Sequence, residues 1–503
     1  MPPKKARSKS QTKSKPKSVK KSGCSCTDDN MSAEVGFHDF SATEISQMRQ
    51  NLLSWYDKKK RDLPWRNITT EDVNQRAYAV WVSEIMLQQT RVATVINYYN
   101  RWMKKWPTIQ ALASADSESV NDAWAGLGYY SRGQRLLDGA KKVVEELDSQ
   151  VPQTAQDLEK QLPGVGRYTA GAIASIAFGQ ATGLVDGNVI RVLSRLRMIG
   201  GNIKQPNVVD AFWSLANKLV DPDRPGDFNQ SMMELGATVC TPTTPACEQC
   251  PVKSLCRAYS KVERLKKSSS LKLCTSPKVK DEKPALVDIE CLVPDCKLCL
   301  PAGEPWKKEL GVTNFPRKPK KGSVRQETLN VVLLCNKTNS DSTQQYLICK
   351  RPKKGLLAGL WEFPNQIDEN GRQDVIPFVA SLLNMSQENI QGLQLLGGVS
   401  HQFSHIRHMY KVWSAHVSLT PSQTDQCVEE CTDRPLKWMT NEQLKGMAIP
   451  TGMLKVFDKF KEMQDEESKK ASKRKNGDQD DVIVQEPKKS QRAISDFFKQ
   501  RHT

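Results

Sequence analysis

The sequence lacks any long apolar run. No stretch approaches the roughly 18 apolar residues that a membrane-spanning helix needs, and the start does not resemble a basic stretch followed by an apolar signal core. We therefore expect a soluble protein that has no membrane partner and does not follow the secretory route.

Acidic residues are missing from the first 27 residues, which carry nine Lys and Arg among Ser, Pro and Thr. Because such a segment buries too little apolar surface to offset its ordering entropy, residues 1–37 are predicted to form a disordered tail. The amphipathic face typical of a mitochondrial transit peptide is missing as well. The composition favours a nuclear-import or DNA-tethering tail over a merely solvated run of charge, with a mitochondrial form of the protein as the alternative.

Cysteine is absent between Cys26 and Cys240, and eight cysteines then follow up to Cys299. In a reducing compartment, such closely spaced cysteines argue for metal ligands rather than disulfides. The first four can close around either a zinc ion or a four-iron cluster, and ligand chemistry alone does not choose. These four are Cys240, Cys247, Cys250 and Cys256.

Positive charge is abundant: 74 Lys and Arg oppose 56 Asp and Glu, a formal net charge of +18 over 503 residues. This imbalance favours a polyanionic partner, most commonly nucleic acid. The length predicts two or three domains with linkers. No internal repeat is visible.

Composition divides the chain beyond the tail into four parts. Helical spacing of apolar residues predicts an all-α domain over 38–262, and a stretch rich in Lys, Pro and Cys predicts a connector over 263–325. Apolar segments at 329–334, 345–349 and 410–417 predict strands of an α+β domain over 326–462. Residues 463–503 are again rich in charge and predict a second disordered tail.

A tight hairpin is predicted where Pro163-Gly164-Val165-Gly166 interrupts the helical pattern of residues 158–177. The glycines would let backbone N–H groups approach a phosphate, whose charge the following helix N-terminus favours. Taken alone, Gly-x-Gly between helices is most often only a turn.

Two acidic residues are candidates for chemistry. Glu84 lies in a predicted helix that is apolar on nearly every side, where a carboxylate is costly unless something needs it. Glu84 is therefore either a catalytic residue or one partner of a structural ion pair, with a residue such as Arg76 as the other. Asp186, in Val185-Asp186-Gly187-Asn188, suits a helix N-cap, which does not exclude catalysis.

Together, the cysteine spacing, the hairpin, Glu84 and Asp186 resemble those of MutY-type adenine DNA glycosylases, members of the helix-hairpin-helix superfamily of endonuclease III. The resemblance implies that Cys240 and its three companions hold one 4Fe-4S cluster and that Gly164 and Gly166 contact DNA. It further implies that adenine mispaired with 8-oxoguanine is removed from duplex DNA.

The resemblance also assigns roles in the reaction. Glu84 would protonate the adenine and Asp186 would stabilise the sugar cation or covalent intermediate, with Tyr168 and Asn188 in support. Related enzymes that also cut the strand carry a Lys nucleophile at the position of Tyr168. The family pattern therefore predicts base removal without strand cleavage.

Adenine inside a duplex must flip out to be reached. The resemblance nominates residues around the flipped adenine and wedges beside the opposite base, with core packing as the alternative for each aromatic residue. The adenine set is Trp65, Arg66, Leu87 and Gln230, and the wedges are Gln89 and Tyr129, the latter interchangeable with Tyr130.

The segment from Arg351 to Pro364 is similar to the opening of a Nudix fold, but the metal-binding Arg-Glu-x-x-Glu-Glu run of Nudix hydrolases does not follow Glu362. The C-terminal domain is therefore predicted to read DNA rather than hydrolyse nucleotides. The resemblance places Phe403, Ser404 and His405 against 8-oxoguanine, with an ordinary surface histidine as the alternative for His405.

Three connector cysteines, Cys291, Cys296 and Cys299, are one ligand short of a zinc site. By resemblance to mammalian relatives, His38 is the preferred fourth ligand of a structural zinc, and Cys274 is the other candidate. Inert connector cysteines are the alternative.

A short motif near the C-terminus resembles the sequence with which repair proteins dock on the sliding clamp PCNA. Its fixed positions are Gln491, Ile494, Phe497 and Phe498. AP endonuclease, the checkpoint clamp and the single-strand DNA-binding protein are further expected partners of a monomer.

Two other functions compete with glycosylase activity. A non-catalytic, cluster-stabilised lesion sensor would need neither Glu84 nor Asp186, since both carboxylates would repel phosphate. A Nudix hydrolase with a DNA-binding extension is disfavoured by the missing metal-binding run.

Overall fold

The computed structural model describes residues 36–272, 291, 293, 295–317, 323–336, 344–352, 355–369, 375–403, 405–420, 423–424 and 434–475. These residues form a helical unit followed by a unit built on a mixed β-sheet. In the part of the chain described, each helix is too short or too polar to cross a lipid bilayer.

The helical unit starts at an N-cap, Ser41, which forms a reciprocal capping box with Glu44. Twelve α-helices are described in it, with a short 3-10 helix at Pro64–Arg66 between the first two. The helices are α1 (Ala42–Lys59), α2 (Val73–Leu87), α3 (Val92–Lys105), α4 (Ile109–Ala113), α5 (Ser117–Trp124), α6 (Ser131–Glu146), α7 (Ala155–Gln161), α8 (Arg167–Phe178), α9 (Gly187–Arg197), α10 (Pro206–Leu219), α11 (Pro225–Thr238) and α12 (Arg257–Lys272).

Two apolar clusters hold these helices together. One surrounds α2, which is buried along most of its length and contacts α8 and α6. The other gathers α1, α9, α10 and α11. Since α2 and α8 belong to the first cluster while α9 and α11 belong to the second, the seam between the clusters brings residues of both together.

The predicted hairpin is present between α7 and α8. Gly164 has φ +79°, and a Cβ there would lie 2.7 Å from the side chain of Arg135, so both backbone conformation and space call for glycine. A Cβ on Gly166, the N-cap of α8, would meet nothing within 4 Å. The backbone at Gly166 is therefore open on its outer side.

The second unit contains a seven-stranded sheet in the described residues, with the order β3-β2-β1-β6-β5. β4 pairs with β1 and β7 with β2, and the long β1–β6 pair is parallel. The strands are β1 (Arg325–Asn336), β2 (Gln345–Lys350), β3 (Trp361–Glu362), β4 (Asn365–Ile367), β5 (Gln391–Gln402), β6 (Ile406–Val417) and β7 (Leu436–Thr440).

Helices cover both faces of this sheet. α13 (Val375–Leu382) packs on one face, and α14 (Asn441–Lys445) and α15 (Thr451–Lys475) contribute to the cluster on the other. The predicted strands at 329–334, 345–349 and 410–417 lie within β1, β2 and β6.

The predicted domain boundaries differ from the ends of the observed elements. α12 runs across residue 262 and α15 across residue 462, because the Lys- and Glu-rich segments there have high helix propensity. In the predicted connector, Val312 and Phe315 are buried against Met198 and Ala258 of the helical unit. The connector makes this contact with the helical unit through a few apolar residues that are spaced among Lys and Pro.

Candidate active site

A pocket lies at the seam between the two helical clusters, with about 790 Å³ of empty volume that includes open solvent. Residues of α2, α8 and α11, the N-terminus of α9 and the 3-10 helix at Pro64–Arg66 line it. The predicted catalytic residues Glu84, Tyr168, Asp186 and Asn188 line this pocket together with the predicted adenine set Trp65, Arg66, Leu87 and Gln230.

Glu84 is 4% exposed and accepts a hydrogen bond of 2.8 Å from the hydroxyl of Tyr168. Burial raises the pKa of Glu84 to about 7 against the effect of this hydrogen bond, and the Asp186 carboxylate adds to the rise. Arg76 instead donates to the carbonyl of Thr70 at 3.0 Å, so the ion pair considered for Glu84 and Arg76 is not formed. Glu84 can therefore hold a proton near neutral pH.

Asp186 is the N-cap of α9. Its carboxylate accepts hydrogen bonds of 2.7 Å from the backbone N–H of Val189 and 2.7 Å from the side-chain amide of Asn188. Burial raises the pKa of Asp186 against these two hydrogen bonds. The N-cap interpretation thus holds, and the same contacts fix the carboxylate at the wall of the pocket.

Glu234 is a pocket residue that the sequence interpretation missed. Its carboxylate pairs with Arg61 at 2.6 Å and with Arg66 at 2.9 Å, and Arg66 also donates to Gln230 at 3.1 Å. Burial opposes ionisation of Glu234, but the hydrogen bond from Arg61 and the charge of Arg66 outweigh it and lower the pKa. The available signal was an acid placed among Met232, Met233 and Leu235 of α11.

The predicted wedges lie outside this pocket. Gln89 and Tyr129 adopt left-handed backbone conformations, with φ +54° and +50°, and Tyr129 is 45% exposed. Tyr130 is buried, and its hydroxyl accepts a hydrogen bond of 3.0 Å from the N–H of Gly126. Of the two interchangeable tyrosines, Tyr129 is therefore the one available to a ligand.

Arg132, also missed, connects the two wedge segments. Its buried guanidinium donates to the carbonyls of Ile85 at 2.9 Å and Met86 at 3.0 Å, at the end of α2, and to that of Gly128 at 2.9 Å. A cation at a helix C-terminus stabilises the unpaired carbonyls there. No feature of the sequence distinguishes this arginine from others on an amphipathic helix.

Two of the predicted reader residues, Phe403 and His405, lie at the turn between β5 and β6. Phe403 packs edge-on against His401 and His408, with ring centroids 4.5 and 4.9 Å apart, and His405 is exposed. Ser404 lies outside the described residues, as do Cys274 and the predicted clamp motif Gln491, Ile494, Phe497 and Phe498.

The first cysteine cluster lines a second pocket, with about 400 Å³ of empty volume. A tetrahedral zinc with Zn–S bonds of about 2.3 Å needs sulfurs roughly 3.8 Å apart. Among the described residues, these four are not a group whose ligand atoms all lie within 4.8 Å of one another. The four thiols line the same pocket, and Arg195 approaches the Cys240 sulfur at 3.3 Å. The set consists of Cys240, Cys247, Cys250 and Cys256.

A tighter group meets that distance limit. The ligand atoms of His38, Cys291, Cys296 and Cys299 all lie within 4.8 Å of one another, so this group could hold a metal ion. The imidazole Nδ1 of His38 is 2.8 Å from the carbonyl of Arg197, and Nε2 is 3.2 Å from the Cys299 sulfur. A hydrogen bond from Nδ1 to a carbonyl orients the ring and leaves Nε2 as the ligand atom.

Comparison with known proteins decides the family. The chain is 50% identical over 434 residues to the adenine DNA glycosylase of Rattus norvegicus, which covers 85% of this chain and 80% of the relative. The chain belongs to the adenine DNA glycosylases. This glycosylase is also 50% identical over 434 residues to the Homo sapiens protein of that name, covering 85% and 77% of the two chains. For the Schizosaccharomyces pombe protein of that name, identity is 38% over 418 residues, covering 78% and 86%.

Family models locate the two units of this adenine DNA glycosylase. Residues 82–218 match the HhH-GPD superfamily of base excision DNA repair proteins, and residues 338–459 match the NUDIX domain. The predicted fold class, a helix-hairpin-helix domain followed by a Nudix-like α+β domain, is confirmed, as is the prediction of an enzyme of base excision repair.

Proposed function

We propose that this glycosylase removes adenine opposite 8-oxoguanine from duplex DNA, flipping the adenine into the pocket that holds Glu84 and Asp186. The observation that carries the proposal is the buried Glu84, whose pKa is raised to about 7 beside a second carboxylate. Two neighbouring acids with different surroundings can divide the roles of proton donor and electrostatic stabiliser.

Cleavage of the N-glycosidic bond leaves an electron-deficient sugar and a poor leaving group. Protonated Glu84 would donate its proton to the adenine ring, and Asp186 would stabilise the sugar cation or bond to it transiently. Water then adds to the sugar carbon, which releases any transient bond to Asp186, and the water gives up a proton to the Glu84 carboxylate. Tyr168 holds Glu84 through the hydrogen bond of 2.8 Å, and Asn188 holds Asp186 at 2.7 Å.

The remaining pocket residues suit recognition of a flipped base. Trp65 and Leu87 supply apolar surface, and Arg66 and Gln230 supply polar groups toward the purine edge. Gln89 and Tyr129 would fill the space that the adenine leaves, while Gly164 and Gly166 approach the phosphate backbone. Phe403, Ser404 and His405 would contact 8-oxoguanine.

Two metal groups accompany the proposal. A 4Fe-4S cluster on Cys240, Cys247, Cys250 and Cys256 would hold the loop after α11 closed, and a structural zinc on His38, Cys291, Cys296 and Cys299 would fix the segment after α12. The four thiols of the first set line one pocket, and the ligand atoms of the second set lie within 4.8 Å of one another, which supports this assignment.

Partners and location follow the same proposal. A nuclear monomer, with a mitochondrial form, would dock on PCNA through residues 491–498 and meet AP endonuclease, the checkpoint clamp and the single-strand DNA-binding protein. The basic composition of residues 1–27 supports import and DNA tethering.

The test uses purified full-length protein and duplexes with adenine opposite 8-oxoguanine. Abasic sites, revealed as strand breaks only after heating in alkali, are the expected product. Breakage without alkali, together with an imine that borohydride traps, would contradict the absence of a lyase step. Absence of any abasic site would contradict the proposed substrate.

A further inference from the structure

The sheet unit is joined to the helical unit through an apolar contact near β3. Leu360 and Ala448, both from the sheet unit, are fully or nearly fully buried within the apolar cluster that contains Val120 and Trp124 of α5. Leu357 packs on the same cluster. The two units therefore share one hydrophobic cluster, which lies where α5 of the helical unit meets the sheet unit.

A polar contact adjoins this shared cluster. The Glu118 carboxylate of α5 accepts a hydrogen bond of 3.3 Å from the indole N–H of Trp361 and lies 3.6 Å from the ammonium of Lys437. Trp361 is 3% exposed, and Lys437 also lies over its ring at 4.7 Å from the centroid. A buried indole N–H is stabilised by an acceptor, and Glu118 supplies it from the helical unit.

α5 is connected in turn to the pocket. The indole N–H of Trp124, at the end of α5, donates to the carbonyl of Gly128 at 3.0 Å. Arg132 joins Gly128 to the end of α2, the helix that carries Glu84. The surface that receives the sheet unit is thus part of the framework that supports the wedge segments and the pocket.

The position of β3 on α5 also sets the position of the opposite edge of the sheet. Trp361 belongs to β3 and the turn with Phe403 joins β5 to β6, at opposite ends of the order β3-β2-β1-β6-β5. A hydrogen-bonded sheet packed on both faces moves as one piece. Docking β3 on α5 therefore decides where the turn lies relative to the pocket.

We propose that Glu118 is a specificity-determining positioning residue: with Leu360, it docks the sheet unit on α5 so that the β5–β6 turn reaches the base opposite the adenine. This inference rests on the proposed function, since it requires that the turn reads 8-oxoguanine. Glu118 touches neither base and acts through Trp361 and Lys437.

The test compares single-turnover rate constants for adenine opposite 8-oxoguanine and adenine opposite guanine. Glu118→Lys loses the acceptor for Trp361 and repels Lys437, so the ratio of the two rate constants should fall about tenfold, with the slower rate constant little changed. Glu145→Lys, the same charge change at an exposed position of α6, should leave the ratio unchanged. Melting temperatures establish that each variant is folded.

A charge exchange supplies the second measurement. Adding Lys437→Glu to Glu118→Lys restores an ion pair across the junction, and it should recover part of the ratio, although Trp361 still lacks its acceptor. A ratio that Glu118→Lys leaves unchanged, or an equal loss with both substrates, would overturn the inference. If the unaltered protein shows no preference for 8-oxoguanine, the proposed function fails instead.

Discussion

The two units each bury a glutamate but treat it in opposite ways. Glu84 of the helical unit receives a hydrogen bond from a neutral phenol and has a pKa raised to about 7. Glu362 of the sheet unit is 2% exposed and contacts two guanidinium groups, those of Arg351 and Arg434, the latter at 2.5 Å. Burial lets Glu84 hold and release a proton near neutral pH, whereas the two arginines on Glu362 fasten the segments around it.

The helical unit itself repeats this contrast within one pocket. Glu234 lies beside the same cavity as Glu84, yet Arg61 and Arg66 lower its pKa. The position of arginines, not burial alone, therefore separates an acid suited to proton transfer from acids that stabilise structure.

The largest effect is expected from removing the acids of the pocket. Glu84→Gln and Asp186→Asn should each slow base removal by roughly a thousandfold or more, because one loses the proton donor and the other the stabilising charge. Single-turnover assays measure the rate, and gel shift of the mismatched duplex measures binding, which should persist. Loss of binding and melting temperature together would instead assign a folding role.

The pH dependence of the reaction should identify the proton on Glu84. With a pKa of about 7, the acid loses its proton above that pH, so the rate constant should fall roughly tenfold per pH unit in alkaline solution. Chemical quench at each pH measures it, with melting temperature as the control. A flat profile from pH 6 to 9 would contradict the assignment of Glu84 as the acid.

The proton on Glu84 should also make the free energy of unfolding depend on pH. Folded Glu84 keeps its proton up to a pKa of about 7, against 4.5 for an ordinary glutamate, so the folded state binds more protons between these values. Stability should therefore fall as pH rises from about 4.5 to 7. Glu84→Gln should remove this part of the slope in denaturant titrations, and an unchanged slope would assign it to other groups.

Glu362→Gln tests whether the buried glutamate of the sheet unit has a structural role, in contrast to Glu84. Breaking the buried contacts with Arg351 and Arg434 should lower the free energy of unfolding of the sheet unit by about 3 kcal/mol. Urea titration followed by fluorescence measures this loss, while base removal opposite guanine should keep its rate. A large drop in that rate with a normal melting temperature would give Glu362 a role in the reaction.

The smallest effect concerns Tyr168. Its hydrogen bond lowers the pKa of Glu84 against the effect of burial, so Tyr168→Phe should move the alkaline fall in rate to higher pH, with less than about a tenfold change in the maximum. The matched control is Tyr78→Phe, which removes another buried hydroxyl, one on α2 itself that donates to the carbonyl of Trp106. An equal shift in both variants would indicate a general effect of lost packing.

Local sequence determined much of this protein. The glycines at 164 and 166, the N-cap at Asp186, the apolar helix around Glu84 and the spacing of the cysteines are each legible over fewer than twenty residues. Their physical causes are local: backbone conformation, capping and helical periodicity. The roles of these residues in the reaction came from the family resemblance, because helical periodicity indicates structure and not chemistry.

Which side chains contact each ionisable group depends on the tertiary structure. Only the fold places Arg61 and Arg66 on Glu234 while leaving Glu84 with Tyr168, and only the fold brings His38 to cysteines more than 250 positions away. Only the fold seats Glu118 under Trp361. The reason is that an ionisable group takes its pKa and its role from neighbours in space, and for these groups the neighbours come from helices and strands far apart in the chain.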